Sequence, residues 1–261
     1  MRTDRRNFVR TLGAGFVGAT LGLGFSKELF AETYIQTGEI TANTKYGKIR
    51  GTLLNDVGVF RGIPYAGQSE GSNRFLPPTP LVPWSGIKEA AAFGPKSYQS
   101  NTSWIDQSLV MRENCQFLNI WTPSVKSGKK LPVMFWNHGG GFTGGPSVID
   151  GLNLAKTGDV IVVTHTHRLN LFGYLYLGHL NDKYAQSGNA GMLDILAALR
   201  WVKENIAEFG GDPDNITIFG QSGGGAKVAM LMAMPMASGM FQKAIIQSGP
   251  SLSGTSHEKA I

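Results

Sequence analysis

One cysteine, Cys115, is all the thiol in these 261 residues, so no internal disulfide can form and packing alone must hold the fold. It stands in an apolar, strand-like stretch, "ENCQFLNIW", which marks it as a buried structural thiol rather than a nucleophile. Long hydrophobic runs are also missing. The best candidate, Leu12 to Phe25, is diluted by glycine and is shorter than the roughly 20 residues that span a bilayer. Basic runs interleaved with aromatics are absent, and without residues 1–31 the formal charge of +6 falls to +3; a nucleic-acid partner is therefore not expected. No internal repeat or low-complexity linker divides the chain. What remains is 42% hydrophobic and 10% aromatic, enough for a sizeable core.

The basic excess lies in "TDRRNFVRTLGAGFVGATLGLGF". Arg5-Arg6, Phe8 two positions on and a short apolar region resemble a twin-arginine export signal. Residues 1–31 are read as that signal, with cleavage near Ala31 although Leu29 is a poor match three positions before the cut. Residues 32–261 then form a periplasmic or secreted domain with no stable membrane anchor.

Two glycine-punctuated alternating stretches, "TKYGKIRGTLL" and "VGVFRGIPYA", predict a small antiparallel N-terminal sheet. "QFLNIW", "LPVMFW", "DVIVVTHTH", "NITIF" and "KAIIQSG" read as strands. From Ala190 to Phe209 apolar residues recur at helical spacing until Gly210-Gly211, and "GGAKVAMLMAM" predicts the next helix. Strands alternating with helices imply an α/β fold with a largely parallel sheet.

Between "NITIF" and that helix, Gly220-Gln221-Ser222-Gly223-Gly224 fits G-x-S-x-G. In such an elbow, glycines flank the serine because the turn leaves no room for Cβ atoms, and the serine oxygen is thrust out at the end of the sheet. The Gly223 amide, at the helix start, is aimed at an oxyanion forming on attack. Upstream, "NHGGGF" at Asn137 to Phe142 follows "LPVMFW" and matches an HGGG oxyanion loop. A phosphate cradle is a poorer reading, since neither a following Lys-Ser/Thr nor G-x-G-x-x-G leads into a helix there.

With both half-sites in order, the chain resembles the type-B carboxylesterases, from about Thr41 to Gly249. The resemblance rests on "FRGIPYA", "NRFLPP", "ENCQFLNIW", "HGGGF", "HRLNLFGYL", the long block from Gly188 to Ala226, and "KAIIQSG". It implies the α/β-hydrolase fold, Ser222 as nucleophile of an acyl-enzyme, and the amides of Gly140, Gly141 and Gly223 as oxyanion hole. The implied partner is a small-molecule ester, and no cofactor is needed. It also implies buried ion pairs of Arg168 with Asp194 and of Arg74 with Glu113. There are departures. Gln221 and Gly223 replace the family's frequent Glu and Ala around the nucleophile, and Ser97 in "FGPKS" replaces the cysteine that many members pair at the Cys115 position. His165 and His167, two apart on a strand, would share a face, but with no third ligand in sight no metal is assigned.

The triad order of the fold is Ser, then Asp or Glu, then His. After Ser222 only Glu258 and His257 remain, adjacent and in reversed order. The chain is therefore expected to be the N-terminal portion of a longer esterase, nearly inactive alone, with the acid and histidine supplied by a C-terminal complement. The alternatives are a non-catalytic cholinesterase-like binding module and an inactive fragment.

Overall fold

The computed structural model describes residues 35–100, 108–123, 128–146, 149–249 and 254–260. The proposed export signal lies outside them. The unit Gln36–Ile261 carries every element below.

Among the described residues nine strands form one sheet: β1 Gln36–Thr44, β2 Gly47–Leu54, β3 Val57–Pro64, β4 Ile87–Glu89, β5 Phe117–Thr122, β6 Leu131–Asn137, β7 Ile161–His165, β8 Gly211–Gln221 and β9 Lys243–Gln247. The helices are α1 Leu152–Gly158, α2 Asn170–Tyr174, α3 Ala190–Asn205, α4 Gly223–Ala233 and α5 His257–Ala260. The strand order is β1-β2-β3-β5-β7-β6-β8-β9, with the short β4 beside β2. From β1 to β7 successive neighbours run antiparallel; β7, β6, β8 and β9 run parallel. The N-terminal antiparallel strands thus belong to the central sheet itself, joined to it where β3 pairs β5 from Gly58↔Thr122 to Pro64↔Phe117.

Burial follows side-chain chemistry. All of β7, "IVVTH", is buried, as a central strand covered on both faces requires. In β6 the alternate residues Leu131, Val133, Phe135 and Asn137 are buried. Helix α3 packs Ile195, Leu199, Trp201 and Val202 against one face, together with Val133, Phe135 and Ile218 of the sheet. There Phe60 meets Phe209 edge-on, ring centroids 5.0 Å apart. A smaller cluster on Trp121, Val59 and Val162 holds Leu152 and Ala155 of α1. Ile206–Phe209 tightens into a 3-10 turn that ends at Gly210, whose φ of 82° is left-handed, where the sequence places the helix stop.

Arg168 and Asp194 form the expected buried pair. The guanidinium reaches both carboxylate oxygens, at 2.7 and 2.8 Å, and its side chain is 1% exposed. The Arg168 amide and Gln116 Nε2 donate to the same carboxylate, so removing one partner would strand a buried charge, at a cost of about 3–5 kcal/mol. Arg74 and Glu113 also pair, at 2.5 and 2.7 Å, but the arginine side chain is 46% exposed. That second pair is not the buried bridge the resemblance implied: solvent reaches the arginine and screens the attraction. Cys115 is fully buried, and burial, followed by the nearby Asp194 charge, pushes its thiol up to about 12. The Ser97 hydroxyl is its hydrogen-bonding neighbour.

Candidate functional site

The parallel half of the sheet fixes where the two motifs meet. From β6 the chain crosses to β7 on one side, then passes back to β8 on the other, so the carboxyl ends of β6 and β8 flank a topological switch point. The glycine loop leaves β6 there. The elbow leaves β8 beside it, with Asn137 paired to Gly220 at the last step of the ladder.

Ser222 has φ 56° and ψ −123°, a strained conformation for a residue with a Cβ. The turn is pinned: its amide donates to Gln247 O of β9 at 2.8 Å, and its carbonyl accepts from Ala226 of α4 at 3.1 Å. The side chain is exposed. Gly223 follows at the first turn of α4, and a Cβ there would lie 2.5 Å from the Gly141 backbone. The elbow and the loop touch because this residue has no side chain.

The loop's carbonyls are all engaged. His138 O accepts from Lys227 Nζ at 3.1 Å and Gly141 O from the same nitrogen at 2.7 Å. Gly139 O lies 2.8 Å from His138 Nδ1, and Gly140 O and Phe142 O accept from the amides of Gly144 and Asn170 at 3.2 and 2.8 Å. In a trans peptide the N–H points away from the carbonyl. Among the described residues the amides of Gly140, Gly141 and Gly223 donate to nothing, and Gly223, next to the exposed serine, packs against the Gly141 backbone. Of the glycines the sequence singled out, Gly223 and Gly141 are brought into contact, with Gly140 next in the chain.

Beneath the loop lies a layer of stacked histidines and a buried lysine that the sequence reading missed. His138 stacks on His167 with centroids 4.7 Å apart, and His167 lies 5.3 Å from His165. So a third histidine does join the pair, but the stacked rings face one another rather than converging edge-on on a point. Among the described residues no group of histidine, cysteine and carboxylate side chains is placed to hold a metal ion. Burial, then the Lys227 charge, pushes His138 down to about 3. His165 and His167 are held well below the ordinary range, first by burial and then by His138. Burial pushes Lys227 down to about 7. Both hydrogen bonds of Lys227 go to the loop and none to Ser222, and no hydrogen bond among the described residues reaches the Ser222 hydroxyl. Glu258 is exposed on α5. The one available signal for Lys227 was its being the single charge in the otherwise apolar "GGAKVAMLMAM".

The family model described as the carboxylesterase family matches residues 38–260. The para-nitrobenzyl esterase of Bacillus subtilis is 46% identical over 223 residues, spanning 83% of this chain and 45% of that protein. Cocaine esterase of Oryctolagus cuniculus is 43% identical over 224 residues, 79% of this chain and 41% of its own length. Among solved structures, the carboxylesterase EST55 of Geobacillus stearothermophilus superposes with a TM-score of 0.76 at 50% identity, covering 80% of this chain and 43% of that one. The chain spans less than half the length of the relatives it matches.

Proposed function

The chain belongs to the carboxylesterase family, and from that premise we propose that it carries the nucleophile and oxyanion hole of a serine carboxylic ester hydrolase. The observation that carries the reading is the meeting of an exposed, strained Ser222 with the unpaired amides of Gly140, Gly141 and Gly223. The Ser222 hydroxyl attacks the carbonyl carbon of a small-molecule ester and gives up its proton to a base. The carbonyl oxygen becomes an oxyanion that accepts hydrogen bonds from the three amides. Collapse expels the alcohol and leaves an ester on Ser222; water then adds, and the acid departs. The N-terminus of α4 favours the negative charge at this point.

The base and its orienting carboxylate are assigned to a C-terminal complement outside the described residues. Two facts support this: no acceptor reaches Ser222 within them, and the relatives are more than twice as long as the matched span. Export through the twin-arginine route is proposed on Arg5-Arg6 and the short apolar run after them.

Hydrolysis of p-nitrophenyl acetate tests the reading. Ser222→Ala lowers kcat by about 10⁶ where the acid and histidine are present, and takes the 261-residue chain to the solvent background. A variant that keeps wild-type turnover overturns the assignment.

A further inference from the structure

We propose that Lys227 is a positioning residue of the oxyanion loop: by holding the carbonyl oxygens of His138 and Gly141 from beneath, its side-chain nitrogen keeps the amides of Gly140 and Gly141 turned toward Ser222. The proposal rests on the reading of Ser222 as nucleophile and of those amides as its oxyanion donors.

Three observations carry it. The first is where the two bonds fall. The peptides that present the Gly140 and Gly141 amides are 139–140 and 140–141. Lys227 holds the peptides on either side of them, at 3.1 Å through His138 O and 2.7 Å through Gly141 O. Glycine has little intrinsic preference to keep such a segment in place, and Gly140 and Gly141 both adopt left-handed φ, 88° and 63°. A clamp at both flanks supplies the order that the glycines lack.

The second is burial without a counter-charge. Lys227 is fully buried, and among the described residues no carboxylate lies within ion-pair reach of it. Its neighbours are His138, His165 and His167, and the ring of Phe142, whose centroid is 5.2 Å from Nζ. A buried amine without a counter-charge is costly where methionine or leucine would suit the same helix, so stability does not account for a lysine here. Its two hydrogen bonds to the loop do.

The third is linkage to the nucleophile through one rigid element. Ser222 caps α4 and Lys227 lies in its second turn. The helix that presents the hydroxyl therefore also sets the height of the loop above it.

Hydrogen exchange of the 261-residue chain and its Lys227→Met variant tests this without turnover. The reporters are the Gly144 and Asn170 amides, which donate to the carbonyls of Gly140 and Phe142. The expected result is at least tenfold faster exchange at these two amides, with no change in β7, and recovery in Lys227→Arg, which keeps its donors. Unchanged exchange overturns the proposal, and so does uniform acceleration through β5 to β7, which would make Lys227 a general stabiliser. In the active enzyme Lys227→Met should lower kcat by about 10- to 100-fold with KM held within twofold, as expected for weakened transition-state donors. A loss confined to KM counts against it. Absence of turnover in the wild type joined with its C-terminal complement would sink the esterase reading while the exchange result still decides the role of Lys227.

Discussion

Four ionisable side chains under the glycine loop, His138, His165, His167 and Lys227, pay no charge back to a carboxylate and are held toward neutrality by burial. Their linkage to folding has a definite sign. Between about 3 and 6.5 the unfolded chain protonates His138 and the folded chain does not, so stability is lost as pH falls through that window; His165 and His167 act in the same direction. Lys227 carries a proton in the unfolded chain up to 10.5 but in the folded one only to about 7, so stability continues to rise above neutrality. Cys115 opposes it from 9.0 upward, because the folded thiol keeps its proton to about 12. Each full proton difference changes stability by about 1.4 kcal/mol per pH unit. Scanning calorimetry should show Tm climbing from pH 4 to 7, climbing further to about pH 9, then levelling. A maximum near pH 6 would mean that these groups are solvated.

At the scale of elements, β9 joins the site to an unprotected edge. Its last residue, Gln247, accepts the Ser222 amide, so the strand helps hold the elbow. Yet among the described residues β9 pairs only with β8, and Ile245 and Ile246 are 44% and 37% exposed. They point to opposite faces, as "KAIIQSG" led one to expect, and an apolar edge of this kind invites pairing between chains. In the 261-residue chain Ile245→Lys should convert a self-associating species into a monomer by sedimentation velocity, with Tm little changed; a wild type already monomeric at the same concentration would contradict this. Elements with a repeating pattern were legible in the sequence: α3 from its helical spacing, β7 from its unbroken apolar run. Short elements were not. Strand β4 has three residues, "IKE", and exists because Lys48 to Arg50 offer it a ladder. Helix α1 buries only Leu152 and Ala155, too little for a period to show.

For the whole molecule, what sequence could and could not disclose divides by distance along the chain. The positions of Ser222 and Gly223 between a strand and a helix, and of the glycine loop after β6, were legible because an elbow and a glycine loop are local patterns with a fixed place beside those elements. Lys227 was not, since its acceptors lie 86 and 89 residues away and a lysine in an apolar helix has no local meaning. The exposure of Arg74 was hidden for the same reason: charge complementarity predicts the partner, but only the surrounding packing sets the solvent. The joining of the N-terminal strands to the rest of the sheet likewise depends on β3 finding β5, a pairing that neither strand's own pattern specifies.

The central claim is that Ser222 stands as a nucleophile before a preassembled oxyanion hole. Its most direct test is peptide mapping by mass spectrometry after exposure of the 261-residue chain to excess fluorophosphonate. The account predicts one phosphonyl group per chain on Ser222. It should form slowly, because no acceptor takes the serine proton among the described residues, and it should be absent from Ser222→Ala. An adduct mapped to any other residue, or no adduct at all after prolonged exposure, would contradict it.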